Sequence, residues 1–319
     1  RYQLRRLLQP RLLHALLNLY PAVCEAYYQK LPIIIISADR PEAWIGQQDG
    51  QTLPQAHVFG TMVNRSVNLP IVSNEEQAWY CERLVHEAVI DCVHRKIGPV
   101  HINIQLSEPL YQFTVDKLPK THWVDYVKTN LFGGSFHYGD MLDFLNARKP
   151  MIVVGQDYPC SQLYGIKQID SWAVTLIEPT ALGTSSEDPA SREFSSNLLV
   201  TNFDEVLNKV GDNGDYMPDF ILYVGGTLVS KRLKLFLRLA VKKGAKVWRA
   251  STDGDYIDTF MRIDRIFQCD TTLLADAMTS YDRVYRDEVD VYKERWEKAL
   301  LAAKRHAFDY EPSFSSMAA

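Results

Sequence analysis

With 319 residues, 46% of them hydrophobic and 23% charged, the chain has the composition of a folded globular protein with room for two cores of ordinary size, which excludes disordered and collagen-like classes. A net charge of −4 and a pI near 6.1 argue against a protein that grips a polyanion through its overall field. The five cysteines are scattered without a Cys-x-x-Cys pair, which points to a reducing compartment, and no apolar run reaches the length of a membrane span. A cytoplasmic protein with no nucleic-acid partner is expected. The basic opening, Arg1 to Arg11, is too brief and too poor in aromatics to change that.

Asn18 to Tyr28 reads as a helix with an apolar face. The run Ile33-Ile34-Ile35-Ile36 follows, too short for a helix and apolar on both faces, and so predicts a central parallel strand covered by helices. It leads into Ser37-Ala38-Asp39-Arg40-Pro41, a proline-closed turn at the carboxyl end of a strand, where open α/β sheets collect ligands. Arg40 is there as a fixed cation for an anionic ligand. The same turn also suits a structural role, with Asp39 capping and Arg40 paired to a neighbouring carboxylate. Asp49-Gly50 is a turn signal. Ser73-Asn74-Glu75-Glu76 has capping-box spacing and opens a helix through about Arg95, with Ala78, Val85, Val89, Cys92 and Val93 on its buried side. Val100 to Leu106 alternates after Gly98-Pro99 and predicts a strand, with His101 a hydrogen-bonded sheet residue.

From Glu108 to about Gly134 the periodicity fades into an interdomain connection. Beyond it, strands are expected at Pro150 to Gly155, Val174 to Ile177, Asn197 to Thr201, Asp219 to Val224, Lys246 to Arg249 and Arg265 to Cys269, with helical stretches between most of them. That alternation implies a parallel, doubly wound sheet. Tyr281 to His306 is a charged helical pattern that reads as an exit from this unit. The fold class is therefore α/β, with two doubly wound domains and mainly parallel sheets. The expected organisation is a first domain over 1–115 with an anomalous start at 1–14, a linker at 116–133, a central domain over 134–296 and an exit segment at 297–319.

Phe220 to Val224 passes through Gly225-Gly226 into a helix whose first turn carries Ser230, Lys231 and Arg232. Free N–H groups at a helix start favour anions, and these side chains would add charge-assisted hydrogen bonds to a carboxylate or phosphate. Lys231 and Arg232 also suit a solvated helix face above Leu233, Phe236 and Leu237. Neither a Walker A loop nor Gly-x-Gly-x-x-Gly occurs, nor does a Gly-x-Ser-x-Gly elbow. His86 and His94 are eight residues apart, too far for a helical metal pair. The sequence thus supplies cations for an anion, but no evident base or nucleophile.

Ser37-Ala38-Asp39-Arg40-Pro41, then Gln51, then Gly98-Pro99-Val100-His101-Ile102-Asn103 with Glu108-Pro109-Leu110, resembles the menaquinone-pathway 2-succinyl-5-enolpyruvyl-6-hydroxy-3-cyclohexene-1-carboxylate synthases, a thiamine diphosphate-dependent family. Asn18-Leu19-Tyr20-Pro21-Ala22-Val23 resembles the helix before that family's Ala-Asp-Arg-Pro turn, and Gly225-Gly226 with Ser230-Lys231-Arg232 resembles its central-domain substrate loop. The order agrees over most of residues 15 to 280. The resemblance implies a pyrimidine-binding domain, present in part, followed by a central Rossmann-like domain. It implies a carboligase that joins isochorismate to the decarboxylation product of 2-oxoglutarate on thiamine diphosphate, with magnesium holding the diphosphate. Arg40, Lys231 and Arg232 match cations that receive substrate carboxylates, Gln51 matches a glutamine beside cofactor and substrate, and a homodimer or homotetramer is implied.

The chain also departs from the family. Arg11-Leu12-Leu13-His14 is found where Thr-Ser-Gly-Thr is expected, and the glutamate that activates the thiamine aminopyrimidine has no counterpart upstream of Ala15. Gln48-Asp49-Gly50-Gln51 replaces Gly-Ala-Asn-Gln, and Gln105 replaces a frequent proline. The Gly-Asp-Gly and downstream asparagine of the diphosphate-binding domain do not occur before Ala319, and Thr252-Asp253-Gly254-Asp255 is no substitute. The expectation is a fragment, inactive alone, with no catalytic or metal-binding residue of its own. An oxidoreductase or nucleotide-binding α/β protein, and a non-catalytic dicarboxylate-binding homologue, are the alternatives.

Overall fold

A computed structural model describes residues 7–8, 16–50, 52–107, 116–117, 121–129, 136–156, 158, 160–182 and 203–308. The chain divides into two compact units, Arg1–Trp123 and Val124–Ala319. Each is built on one parallel sheet, as the α/β reading requires.

In the first unit, β1 (Leu7–Leu8), β2 (Ile34–Asp39), β3 (Arg65–Leu69) and β4 (Val100–Gln105) lie in the order β1-β2-β4-β3. The start that looked anomalous in sequence contributes β1, which pairs Leu7 and Leu8 with Ile34 and Ile35. Helix α1 (Tyr20–Tyr28) leads toward β2, and α2 (Glu75–Ile90) continues into a π-helical turn at Asp91–Arg95. The N-cap of α2 is Asn74, one residue later than expected, and the reciprocal side-chain bond goes to the residue before it. Asn74 Oδ1 accepts from the Gln77 backbone N–H at 2.8 Å, and Gln77 Oε1 accepts from the Ser73 backbone N–H at 2.7 Å. Ala78 is exposed, because the apolar stripe begins one turn further along. Leu84, Ala88 and Cys92, flanked by Cys81, Val85, Val89 and Val93, pack on Ile34, Val67, Leu69, Val100 and Ile102.

In the second unit, β5 (Asp125–Lys128), β6 (Pro150–Val154), β7 (Val174–Ile177), β8 (Phe220–Val224), β9 (Lys246–Ser251) and β10 (Arg265–Gln268) lie in the order β5-β10-β9-β8-β6-β7. Helices α3 (Tyr138–Leu145), α4 (Cys160–Asp170), α5 (Phe203–Val210), α6 (Lys231–Lys242), α7 (Thr271–Thr279) and α8 (Arg286–Phe308) accompany these strands. Strands β6, β7 and β8 are buried at every position, which is why they read as continuous apolar runs. Trp248 is fully buried, with ring centroids 4.8 Å from Phe220 and 4.9 Å from Phe267. The strand expected at Asn197 to Thr201 lies outside the described residues.

Two stretches differ from their sequence reading. Residues 125–128, expected within the linker, form edge strand β5, held to β10 by four backbone pairs and by Arg265 Nη2 to Asp125 Oδ2 at 2.8 Å. Residues 297–308, expected to be an exit, continue α8 without a break. Val289, Tyr292, Trp296, Leu300 and Ala303 form one buried stripe at helical spacing, and Tyr292 Oη and Trp296 Nε1 both donate to the Tyr216 carbonyl. The high charge of this helix belongs to its other faces.

Candidate functional site

Alternation along β2 sends Ile35, Ser37 and Asp39 to one face of the sheet and Ile34, Ile36 and Ala38 to the other. The register sets Ser37 opposite Asn103, Asn103 opposite Asn68, and His101 opposite both Ile35 and Ser66. The first face is therefore apolar near the start of β2 and polar toward its carboxyl end. Ser37 Oγ donates to Asn103 Oδ1 at 2.7 Å, and Asn103 Nδ2 donates to Asp39 Oδ2 and to Asn68 Oδ1, each at 2.8 Å. Asp39, only 5% exposed, also accepts at Oδ1 from Gln55 Nε2 at 3.0 Å and from the Arg40 backbone N–H at 2.9 Å. Its carboxylate is thus fully engaged, and Asp39 caps the turn as the structural reading supposed. The expectation of a strand apolar on both faces holds only for its first half.

Arg40 follows at the strand's end, half-buried, with its guanidinium carbon 5.9 Å from the Trp44 ring. Gln51, the other candidate of this loop, lies outside the described residues, as does the Glu108-Pro109-Leu110 motif. His101 is fully buried, with Nε2 2.7 Å from Ser37 Oγ, Nδ1 3.2 Å from Ser66 Oγ and the Phe59 ring edge-on at 5.1 Å. Burial, with a smaller contribution from His57, pushes its pKa down to about 4, so the ring is neutral. That agrees with the hydrogen-bonded sheet histidine expected from sequence.

The loop after β8 is built differently. Gly225, at φ +79°, and Gly226 lie against the backbone that follows β6. A Cβ on Gly225 would meet the Gly155 carbonyl oxygen at 2.7 Å, and one on Gly226 would meet that of Gln156 at 2.8 Å. Gly155 N–H to Val224, Gln156 N–H to Thr227 and Gly226 N–H to Gln156 tie the two loops together at 2.7–3.0 Å. The glycines are needed for this crossing, and the backbone they free is taken up by protein rather than by a phosphate. That disfavours a nucleotide cradle here.

The start of α6 is likewise occupied. Ser230 is its N-cap: its backbone N–H donates to Glu178 Oε1 at 2.9 Å, and its Oγ accepts from the Leu233 N–H at 3.0 Å while donating to Asp204 Oδ1 at 2.5 Å. Two protein carboxylates already answer the helix dipole, so Ser230 is not available to an incoming anion as sequence suggested. Lys231 and Arg232 are exposed, and Arg232 Nη1 donates to the Asp204 carbonyl at 3.0 Å. Of the sequence candidates at this loop, these two side chains are the exposed ones. Sequence reasoning missed Arg249, which is 4% exposed, lies 5.0 Å over the Tyr223 ring and donates to the Gly225 carbonyl at 3.3 Å. Glu178 and Asp204 were missed as well, because nothing local links them to α6.

Among the described residues, no group of three His, Cys, Asp or Glu side chains could hold a metal ion. Asp253 accepts from Ser251 Oγ at 2.7 Å and from the Asp255 N–H at 3.1 Å, which makes Thr252-Asp253-Gly254-Asp255 a self-satisfied turn. Burial pushes the thiols of Cys92 and Cys269 up to about 12, which leaves no reactive thiolate at either position. A cleft of about 220 Å³ lined by Ser171, Trp172, Arg283, Arg286, Val289 and Asp290 opens at the opposite, amino edge of the second sheet. Its Arg283 is engaged by the Trp172, Phe144 and Ala147 carbonyls. Among the described residues no helix is long and apolar enough to cross a membrane.

No family model matches the chain. Individual proteins do. The chain is 40% identical over 290 residues to the 2-succinyl-5-enolpyruvyl-6-hydroxy-3-cyclohexene-1-carboxylate synthase of Bacteroides thetaiotaomicron, covering 86% of this chain and 49% of that protein. The chain is homologous to this synthase family. The synthase of Phocaeicola vulgatus is 40% identical over 262 residues, with 80% of this chain and 44% of the relative covered. That of Bacteroides fragilis is 39% identical over 250 residues, with 77% and 43% covered. The chain thus spans about half the length of the curated synthases it matches.

Proposed function

We propose that the chain is the substrate-reading part of a thiamine diphosphate- and magnesium-dependent carboligase of menaquinone biosynthesis, which acts in the cytoplasm on isochorismate and 2-oxoglutarate. Its kinship with the 2-succinyl-5-enolpyruvyl-6-hydroxy-3-cyclohexene-1-carboxylate synthases carries this reading. The site chemistry is consistent with it: Arg40 follows the carboxyl end of a parallel strand, and Lys231 and Arg232 open a helix beyond another. Both substrates are dicarboxylates, so cations at strand and helix ends suit them.

The roles proposed for this chain are binding and orientation. Arg40, Lys231 and Arg232 receive carboxylates and neutralise their charge, and Gln51 lies beside cofactor and substrate. Thiamine diphosphate supplies the ylid and the electron sink when bound. Among the described residues no group of three His, Cys, Asp or Glu side chains could hold a metal ion, so no residue is assigned to magnesium. We further propose residues 1–115 as a pyrimidine-binding domain, 134–296 as a central domain, and a homodimer or homotetramer as the working assembly.

The test is turnover by the natural polypeptide that carries this sequence, supplied with isochorismate, 2-oxoglutarate, thiamine diphosphate and Mg²⁺. Formation of the cyclohexene carboxylate product with release of CO₂ is expected. Nicotinamide-dependent reduction with no condensation product would overturn the proposal.

A further inference from the structure

The polar face of the first sheet holds a chain of hydrogen bonds whose direction is forced by one residue. A carboxylate only accepts, so Asn103 must present its amide N–H₂ to Asp39, which turns its carbonyl oxygen toward Ser37. The single hydroxyl hydrogen of Ser37 is committed to that oxygen. At its 2.7 Å contact with His101, Ser37 Oγ can then only accept, so His101 Nε2 carries the ring hydrogen. Nδ1 is left bare, and Ser66 Oγ donates to it at 3.2 Å. The order Ser66, His101, Ser37, Asn103, Asp39 is a one-way run of donors that crosses three strands and ends on a carboxylate. At the other oxygen of that carboxylate sits the backbone N–H of Arg40.

We propose that Asp39 is a positioning residue for substrate binding, acting through Arg40: as the acceptor of this one-way chain it fixes the peptide from which the Arg40 side chain projects. The inference rests on the reading of Arg40 as a carboxylate-binding cation. Five side chains from three strands hold one strand end, and Gln55 adds a further attachment from the following loop, at Asp39 Oδ1 and the Ala38 carbonyl. Asp39 accepts from Asn103, from Gln55 and from the Arg40 N–H, so an apolar side chain at this position would take an acceptor away from all three donors. A buried carboxylate with both oxygens engaged suits a role in which the direction of the following residue matters.

The substitution Asp39→Asn keeps the shape and removes the forced direction. If the substituted side chain keeps its oxygen toward the Arg40 N–H and Gln55, its new amide N–H₂ faces that of Asn103. Asn103 then turns over, Ser37 donates to His101 Nε2, and the ring hydrogen moves to Nδ1. Long-range ¹⁵N–¹H spectra of histidine-labelled protein, with His101 assigned by its loss in His101→Gln, read this switch directly. The expected result is an Nε2–H tautomer in the wild type and an Nδ1–H tautomer in Asp39→Asn. An Nδ1–H tautomer in the wild type would overturn the one-way chain.

The link to Arg40 is tested by a double-mutant cycle on kcat/KM for isochorismate in the natural polypeptide. Asp39→Asn should lower it about 3- to 30-fold in the wild type and have no further effect in an Arg40→Ala background. An equal loss in both backgrounds would overturn the positioning role while leaving Arg40 as a substrate cation. If Arg40→Ala alone is silent, the Arg40 reading falls, and the role proposed for Asp39 falls with it.

Discussion

The two units use the same parallel architecture to hold a cation beyond a strand's carboxyl end, yet they hold it by opposite means. In the first unit the support comes from inside the sheet: Ser37, Asp39, His101 and Asn103 are buried, hydrogen bonds join them across β2 and β4, and Ser66 and Asn68 extend the network to β3. In the second, β6, β7 and β8 are buried throughout, and the support for Lys231 and Arg232 is gathered at the edge, where Glu178 and Asp204 meet the Ser230 cap. Breaking the support of a cation held through a sheet interior destabilises strongly, because every broken link leaves a buried polar group behind. Changing a cation on a capped helix start destabilises little, because its neighbours stay satisfied or reach water.

The largest expected effect follows from that contrast. Asn103→Leu strands the Asp39, Ser37 and Asn68 side chains and should cost the first unit about 3–4 kcal/mol. Ile152→Val, a one-methylene cut in the apolar, fully buried strand β6, should cost only about 1 kcal/mol. Urea unfolding, with hydrogen exchange at the β4 and β6 amides to assign each loss to its unit, checks both. Equal costs would erase the distinction between a polar and a dry interior.

Acid should expose the same difference. The folded His101 ring takes up a proton only near pH 4, whereas in the unfolded chain it does so near its ordinary value of 6.5. Its contribution is therefore present above pH 6.5 and is lost as the pH falls toward 4, by roughly 3 kcal/mol at the bottom of the window. His101→Gln should flatten that slope in the first unit. Asp170, in the second unit, carries the opposite sign: burial raises its pKa, so its folded form takes up a proton first and gains stability on acidification. Stability measured from pH 7 to 4 for the wild type and His101→Gln separates these contributions.

Smaller effects belong to the second loop. Ser230→Ala removes the α6 cap and should cost about 1 kcal/mol, read as a lowered unfolding midpoint. Lys231→Ala should leave stability within about 0.5 kcal/mol of wild type, since the side chain is exposed.

Much of the fold could be read in the sequence because buried parallel strands write themselves as continuous apolar runs. Pro150 to Val154 and Phe220 to Val224 are examples, and both formed where expected. The polar face of the first sheet could not be read that way. His101, Asn103 and Gln105 alternate with apolar residues, and alternation is the same whether the polar face meets water or a second layer. What covers it, including Leu16, Val23 and Phe59, comes from other parts of the chain. The signal that was present is the i, i+2 pairing of Ser37 with Asp39 and of His101 with Asn103. The Gly225-Gly226 loop was ambiguous for a related reason: glycine spacing does not say whether the close neighbour is a ligand or another loop, and here it is the backbone after β6. Arg40, Lys231 and Arg232 were singled out because a cation at a strand end or helix start is a local pattern, and the ligand proposed for them is a substrate carboxylate.

That ligand is tested most directly by kcat/KM for isochorismate and for 2-oxoglutarate in the natural polypeptide, compared among wild type, Arg40→Ala and the double variant Lys231→Ala/Arg232→Ala. Loss of a charge-assisted bond to a carboxylate predicts a fall of about 10- to 100-fold in kcat/KM for at least one substrate in each variant, with stability nearly unchanged for the Lys231/Arg232 pair. Variants that match the wild type with both substrates would contradict the assignment of these cations to the dicarboxylates.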